Sequence, residues 1–312
     1  MAVTVVITGG TGLVGKALTK ALIDKGYNVI ILTRDASSKK TAPGLSYALW
    51  NVAKQEIDAK ALQSADHIIH LAGAGVVDKR WTDAYKKEIL ESRTESSRLI
   101  FESLQNIPNK VKAVVSASAT GWYGADSVSA KAFVETDAAD DSFLGQTCRH
   151  WEASIEPVTG LEKRLVKLRT GIVLSNDGGA LAEFKKPLNF GVAAILGSGK
   201  QTVSWIHIED LCRMFIAGIE NEHLSGSYNA VAPNPVTNET LTIELAKALK
   251  KKFYLPMHVP AFVLKMMMGQ SSIEVLKSTT VSCKKILDTG FEFKYNTIET
   301  ALKDLAATTD RH

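Results

Sequence analysis

Apolar and polar positions along the chain follow two rhythms that take turns. Residues 3–8 are a short β-branched run, the pattern of a strand buried on both faces. Leu13, Ala17, Leu18, Ala21 and Leu22 then recur on one face of a helix, with Gly26 closing it. Further strands are expected at 28–32, 46–50, 67–71, 112–115, 165–174 and 227–231. Helices are expected at 79–105, with Thr82 as N-cap, at 143–155, and after Asp210. Strands alternating with helices predict an α/β fold with a doubly wound parallel sheet of about seven strands. Residues 1–174, completed by 204–231, are expected to form that sheet domain. Residues 175–203, which read as loop-rich, and 232–312, with Pro-rich turns and two or three helices, are expected to form a smaller substrate-binding cap. Within the cap, Met266, Met267 and Met268 read as adaptable packing.

The first strand runs into Thr8 and the spacing Gly9-x-x-Gly12-x-x-Gly15, with Leu13 and Val14 as its second interval, and leads into the helix. Glycine lets a backbone pass close to a ligand, and a helix N-terminus offers free N–H groups and a positive dipole end. The turn therefore suits a pyrophosphate. Gly15 lets the helix lie close on its strand. The second strand ends Leu32-Thr33-Arg34-Asp35, with Lys39 and Lys40 following. Where NAD-binding folds place an acid for the ribose, Thr33 stands, and Arg34 can grip a 2′-phosphate. The alternative is a solvated loop, with Asp35 serving the ribose. These residues favour NADP(H) over NAD(H). The small exit Leu71-Ala72-Gly73 lets a cofactor lie against the chain, and the neighbouring His67 and His70, inside an apolar run, read as structural. On the long helix Arg93 can meet a pyrophosphate and Glu88 a ribose hydroxyl, or both can be solvated helix charge.

Composition narrows the classes. The formal net charge is +4 and scattered, with no basic block, which argues against nucleic acid. The apolar runs are strand-sized, so no membrane span is expected. Cys148, Cys212 and Cys283 are far apart and make no metal spacing, so no metal is expected. A reducing, cytoplasmic compartment fits them. Met1 leads straight into the first strand, so no leader is expected. The expected partner is a small-molecule substrate, and an oligomer is compatible with the chain.

Taken together, ITGGTGLVG at 7–15, LAG at 71–73, KRW at 79–81, SR at 92–93, SATGWYG at 118–124, RTGIV at 169–173, WIHIED at 205–210 and YN at 228–229 resemble the extended, epimerase-like branch of the short-chain dehydrogenase/reductases. The similarity is closer to an atypical subgroup, the epimerase family proteins. The resemblance implies a Rossmann domain under a C-terminal cap, with Thr33, Arg34, Leu71, Ala72, Glu88, Arg93 and Val173 beside the cofactor. It departs at the chemistry. That superfamily uses a Ser/Thr, a Tyr and a Lys four residues later, whereas the helix here reads FLGQTCR at 143–149 and no tyrosine has such a lysine. Ser118 can hold the Ser/Thr position, and Tyr123 and His207 are the candidate proton donors. Packing beside Trp122 and a hydrogen bond to Asp210 are the alternatives for those two. Two functions follow. One is an NADP(H)-dependent oxidoreductase or epimerase acting on a small carbonyl, hydroxyl or sugar-like compound. The other is a non-catalytic NADP(H) sensor or regulatory module.

Overall fold

The computed structural model describes residues 2–126, 131–249 and 253–309. Met1 and part of the Asp-rich loop after Gly124 lie outside them. In chain order the first half forms β1 (Thr4–Thr8), α1 (Leu13–Asp24), β2 (Asn28–Thr33), β3 (Leu45–Asn51), β4 (Glu56–Ile57), α2 (Ala59–Ser64), β5 (His67–His70), α3 (Asp83–Asn106), β6 (Ala113–Ala119), α4 (Phe143–Ile155) and β7 (Arg164–Thr170). Then come β8 (Ile172–Leu174), α5 (Ala180–Leu188), β9 (Val192–Leu196), β10 (Thr202–Val203), β11 (Trp205–His207), α6 (Ile208–Glu220) and β12 (Gly226–Ala230). The remainder holds β13 (Val236–Thr237), α7 (Asn238–Ala248), β14 (Leu255–Val259), α8 (Ala261–Met268), α9 (Ser272–Leu276), α10 (Lys284–Leu287) and α11 (Ile298–Thr309).

The main sheet has the order β12-β7-β6-β5-β1-β2-β3-β4. Seven strands are parallel, and the two-residue β4 adds an antiparallel edge on β3. Period-two side-chain alternation sorts each strand between two layers. Val5, Ile7, Ile31, Ile69, Val115 and Val166 pack toward Leu18 and Leu22 of α1 and Phe215 of α6. Val6, Leu32, Ile68, Val114 and Leu165 pack on the other face with Leu99, Ile100 and Leu104 of α3. Full burial of each such side chain contributes roughly 1.5–3 kcal/mol. The chain winds outward from β1 to β3, then returns to β5 and winds the other way. The reversal between β1 and β5 opens a crevice at their carboxyl ends, where sheets of this kind bind ligands.

Four stretches differ from the reading of the sequence. The expected single strand at 165–174 breaks at Gly171, and Ile172–Leu174 leaves the sheet to pair with Trp205–His207. A Cβ at Gly171 would lie 2.4 Å from the Ser204 carbonyl oxygen, so only glycine allows this crossing. The stretch 175–203 is not loop-rich: it holds α5 and β9, and β9 pairs in parallel with β14. Its helical signal is short, bounded by Gly178 and Gly179 at positive φ and cut by Pro187 near its end. Beyond Ala232 the described residues form five α-helices rather than two or three, among which α7 and α11 share a third apolar cluster through Leu241, Leu245, Leu302 and Leu305. Met266 and Met267 do not pack; they are 69% and 68% exposed. The long helix begins at Asp83, with the Thr82 hydroxyl accepting from the Tyr85 N–H at 3.2 Å, and residues 79–81 stay outside it.

Candidate cofactor and active site

The glycine turn is built by close backbone approach. Gly9 has φ +68°, and a Cβ there would lie 2.8 Å from the Leu71 carbonyl carbon. A Cβ on Gly15 would meet the Gly9 carbonyl oxygen at 2.4 Å. The turn is closed by the Gly12 N–H donating to the Gly9 carbonyl at 3.0 Å. Helix α1 starts with Gly12 as its N-cap, which has no side chain to cap it, and no acid lies in the first turn. Its leading N–H groups therefore await an acceptor from outside the helix. Leu13 faces Gly178 and Gly179 at the start of α5, and Val14 packs against the sheet. A cradle of this form suits a phosphate group.

Thr8 shapes the opposite wall rather than facing into the cleft. Its hydroxyl accepts from the Leu71 and Ala72 N–H groups at 3.1 and 3.2 Å and donates to His70 Nδ1 at 2.7 Å. His70 is fully buried, and burial with the nearby Arg93 charge pushes its pKa down to about 3. It is therefore neutral, with Nε2–H directed to Ser97 Oγ at 3.2 Å. This pair fixes the exit at Leu71, Ala72 and Gly73, and it bears out the structural reading of His70.

Arg93 lies against that exit. A Cβ on Gly73 would sit 3.1 Å from its guanidinium carbon. Only 9% of the residue is exposed. Its Nη1 donates to the carbonyls of Ala74 at 3.0 Å and Ile89 at 2.9 Å, and the guanidinium stands 4.9 Å over the Trp151 ring. No carboxylate approaches it within 4.0 Å among the described residues. Burial lowers its pKa. Ser92, beside it, accepts from the Ala74 N–H at 2.9 Å and so anchors the same segment. Glu88 is exposed and paired with Lys79 at 3.2 Å. At the end of β2, Thr33 accepts from the Asp35 N–H at 3.4 Å and Arg34 is exposed. The Asp35 carboxylate is engaged by Ser37 Oγ and the Ser38 N–H, both at 3.2 Å, and these bonds, those from Ser38 foremost, lower its pKa. Lys39, Lys16 and Lys20 border a cavity of about 600 Å³ beside Gly10 and Thr11.

The three candidate catalytic groups are drawn into the frame. Ser118 is 3% exposed, and its hydroxyl donates to Glu152 Oε1 at 2.7 Å. Glu152 in turn takes a two-pronged bond from Arg169, at 2.8 and 3.1 Å. Burial raises the Glu152 pKa, but the Arg169 bond and charge outweigh it and leave the group below the carboxylate range. Tyr123 has no exposed surface. It stacks on Phe133, donates to Asn229 Oδ1 at 2.7 Å and accepts from Arg169 at 3.0 Å. Burial pushes its pKa up to about 12. His207 is 2% exposed and caps α6 by accepting the Glu209 N–H at Nδ1, with Nε2 3.5 Å from the Asp304 carboxylate. Its ring lies on Tyr295 and burial lowers its pKa. The structure thus places Tyr123 with Ser118 in one buried network and His207 in a separate cluster with Tyr295. Leu144 and Cys148, four residues apart, face Gly121 at the end of β6, and burial pushes the Cys148 thiol up to about 12. That wall is apolar and the thiol is inert.

Reading the sequence missed the other side of this end. Thr120 and Gly121, with Ile172 before Val173, line a cavity of about 150 Å³. Its far wall includes Glu274 and Lys277. A pair three residues apart reads from sequence as solvated helix charge, so only Thr120, inside the hydroxyl-rich stretch, carried a signal.

Residues 5–143 match the NAD dependent epimerase/dehydratase family, and residues 259–305 match a domain of unknown function, DUF1731. An epimerase family protein of Staphylococcus aureus strain MRSA252 is 37% identical over 302 residues, covering 96% of this chain and 97% of its own. This chain belongs to the epimerase family proteins. They are atypical short-chain dehydrogenases/reductases, in keeping with the Rossmann sheet and the missing Tyr-x-x-x-Lys. The crystal structure of a human epimerase family protein with NADPH superposes with a TM-score of 0.85 at 29% identity, covering 97% of this chain and 99% of that one. A nucleoside-diphosphate sugar epimerase of Corynebacterium glutamicum gives 0.77 at 30% identity, with 98% of this chain on 59% of that one. No helix among the described residues is long and apolar enough to cross a membrane.

Proposed function

We propose that this family member is an NADP(H)-dependent oxidoreductase or epimerase acting on a small carbonyl or hydroxyl compound. The observation that carries the reading is Arg93, a dry guanidinium satisfied only by carbonyl oxygens, beside the exit that faces the uncapped glycine turn. A buried cation without an acid is costly unless a ligand supplies the anion. Arg93 and the N–H groups of residues 12–15 would hold the pyrophosphate of a dinucleotide, with Leu71, Ala72 and Gly73 beside it. The NADPH complex of the human relative supports the same ligand. When bound, the nicotinamide supplies or accepts a hydride. The chain's part is to hold the two phosphates, keep the wall at Leu144 and Cys148 dry, and present a substrate from the cap, for which we propose residues 175–203 and 232–312.

NADP(H) is preferred on charge. Asp35 is turned into its own loop, so no acid is offered to a 2′-hydroxyl, while Arg34 is exposed with Lys39 nearby. Arg34→Ala is expected to weaken NADPH binding by roughly 1–3 kcal/mol, as for one lost charge-assisted contact, and to leave NADH binding nearly unchanged. Titration of both nucleotides by fluorescence checks this, and equal losses for the two overturn the preference. NADPH that binds but is never oxidised by any carbonyl compound supports the non-catalytic sensor instead, the reading favoured by Leu144 and Cys148 standing where an acid is usual.

A further inference from the structure

The cavity behind Thr120 has almost all its polar lining committed to the frame. Gln201 Nε2 donates to the Leu196 and Val275 carbonyls. Ser204 Oγ donates to the Thr279 carbonyl and accepts the Val281 N–H. Thr279 Oγ1 donates to the Gly124 carbonyl. Two lining groups are charged, Glu274 on α9 and Lys277 just after it, with Nζ 2.9 Å from Oε2 and both side chains about 15% exposed. Lys277 has three N–H donors. Glu274 takes one, the Tyr123 carbonyl lies 3.4 Å from Nζ, and among the described residues the third has no acceptor. The two charges cancel, so the cavity suits an uncharged compound. At about 150 Å³ it is below the roughly 300–1,000 Å³ of drug-sized pockets, too small for a nucleotide sugar.

We propose that Lys277, held by Glu274, is the proton donor of this cavity and that its substrate is a small uncharged ketone or aldehyde, or the corresponding alcohol. The proposal rests on the dinucleotide reading above. In the reducing direction the carbonyl carbon gains a hydride from the reduced dinucleotide and the C–O π pair passes to oxygen. Nζ of Lys277 then delivers the proton that completes the hydroxyl, and the neutral amine regains a proton from solvent. In the oxidising direction the neutral amine accepts the hydroxyl proton as hydride leaves carbon. Thr120 lines the same cavity, its hydroxyl directed to the Thr170 carbonyl at 3.4 Å.

Hydroxyacetone is the probe. Its binding is read by saturation-transfer NMR without nucleotide, its reduction by NADPH oxidation, and folding by thermal melting. Lys277→Met is expected to weaken probe binding at least tenfold. Lys277→Arg keeps a cation and donors but cannot give up its proton. It is expected to retain binding and lose about 10²-fold or more in turnover, the scale of a lost general acid. Probe binding by Lys277→Met equal to wild type, full turnover in Lys277→Arg, or neither binding nor reduction in the wild type each overturns the proposal. A wild type that fails to bind NADPH overturns the dinucleotide reading, and the Lys277 site then stands or falls on hydroxyacetone binding alone.

Discussion

At the glycine-rich end of the cleft the walls are main chain: the turn at 9–15, the exit at 71–73, and one buried arginine leaning on that exit. At the other end the walls are side chains, and those with familiar chemistry are bonded away from the cleft. Ser118 serves Glu152, Tyr123 serves Asn229 and Arg169, and Leu144 with Cys148 makes a dry face. The first end depends on approach distances that a single Cβ would spoil. The second depends on which long-range partner claims each polar group. One site therefore joins a part that tolerates almost no change to a part whose chemistry can be reassigned.

The contrast can be broken most directly at Gly15. Gly15→Ala puts a Cβ 2.4 Å from the Gly9 oxygen and 2.5 Å from Gly10 Cα, where only backbone could yield. NADPH affinity is expected to fall by more than about 10²-fold, with a lowered melting temperature, since overpacking typically costs about 1–3 kcal/mol. A variant that binds and melts like the wild type would show the turn to be plastic.

Acid should attack the same end through His70. Its pKa is depressed to about 3 in the folded protein, against about 6.5 unfolded. Between those values the unfolded chain binds a proton that the folded one does not. Stability is thus full above about pH 6.5 and falls as pH drops, by about 1.4 kcal/mol per unit. His70→Gln should flatten that slope in denaturant titrations from pH 6.5 to 4; an unchanged slope assigns the acid sensitivity elsewhere.

Arg93→Met sharpens the comparison because binding and folding should move in opposite senses. Cofactor affinity is expected to fall by roughly 1.5–3 kcal/mol, about 10–150-fold, in calorimetric titration. The melting temperature of the nucleotide-free protein should hold or rise, because a desolvated charge has been removed. A large drop in that temperature would make Arg93 a structural residue.

The smallest effect belongs to the second end. Tyr123→Phe leaves Asn229 and Arg169 each short of one partner and should cost about 1–2 kcal/mol of stability. Turnover and NADPH affinity should not change. A loss of turnover of about 10²-fold would return the tyrosine to catalysis.

How far the chain was legible follows the same division. The seven parallel strands of the main sheet and helix α4, at Phe143–Ile155 as expected, were readable because each is a local period of apolar residues; the two-residue β4 was not. The glycine turn was readable because its spacing is local too. The break at Gly171 was not, since its cause is the Ser204 carbonyl more than thirty residues away. Tyr123 carried a sound local signal beside Trp122, but Phe133 and Asn229 decide its burial. Lys277 was not singled out at all, since only the fold brings it to the cavity that Thr120 lines.

The dry guanidinium of Arg93 also bears on how long the protein survives. A ligand that binds only the folded chain stabilises it by about 2.7 kcal/mol at a hundred times its dissociation constant. Neutralising Arg93 would make much of that gain local to α3 and the 71–79 segment. The empty protein is then the form that opens first and that proteases reach first, so its steady-state abundance would track the supply of dinucleotide without any dedicated regulator.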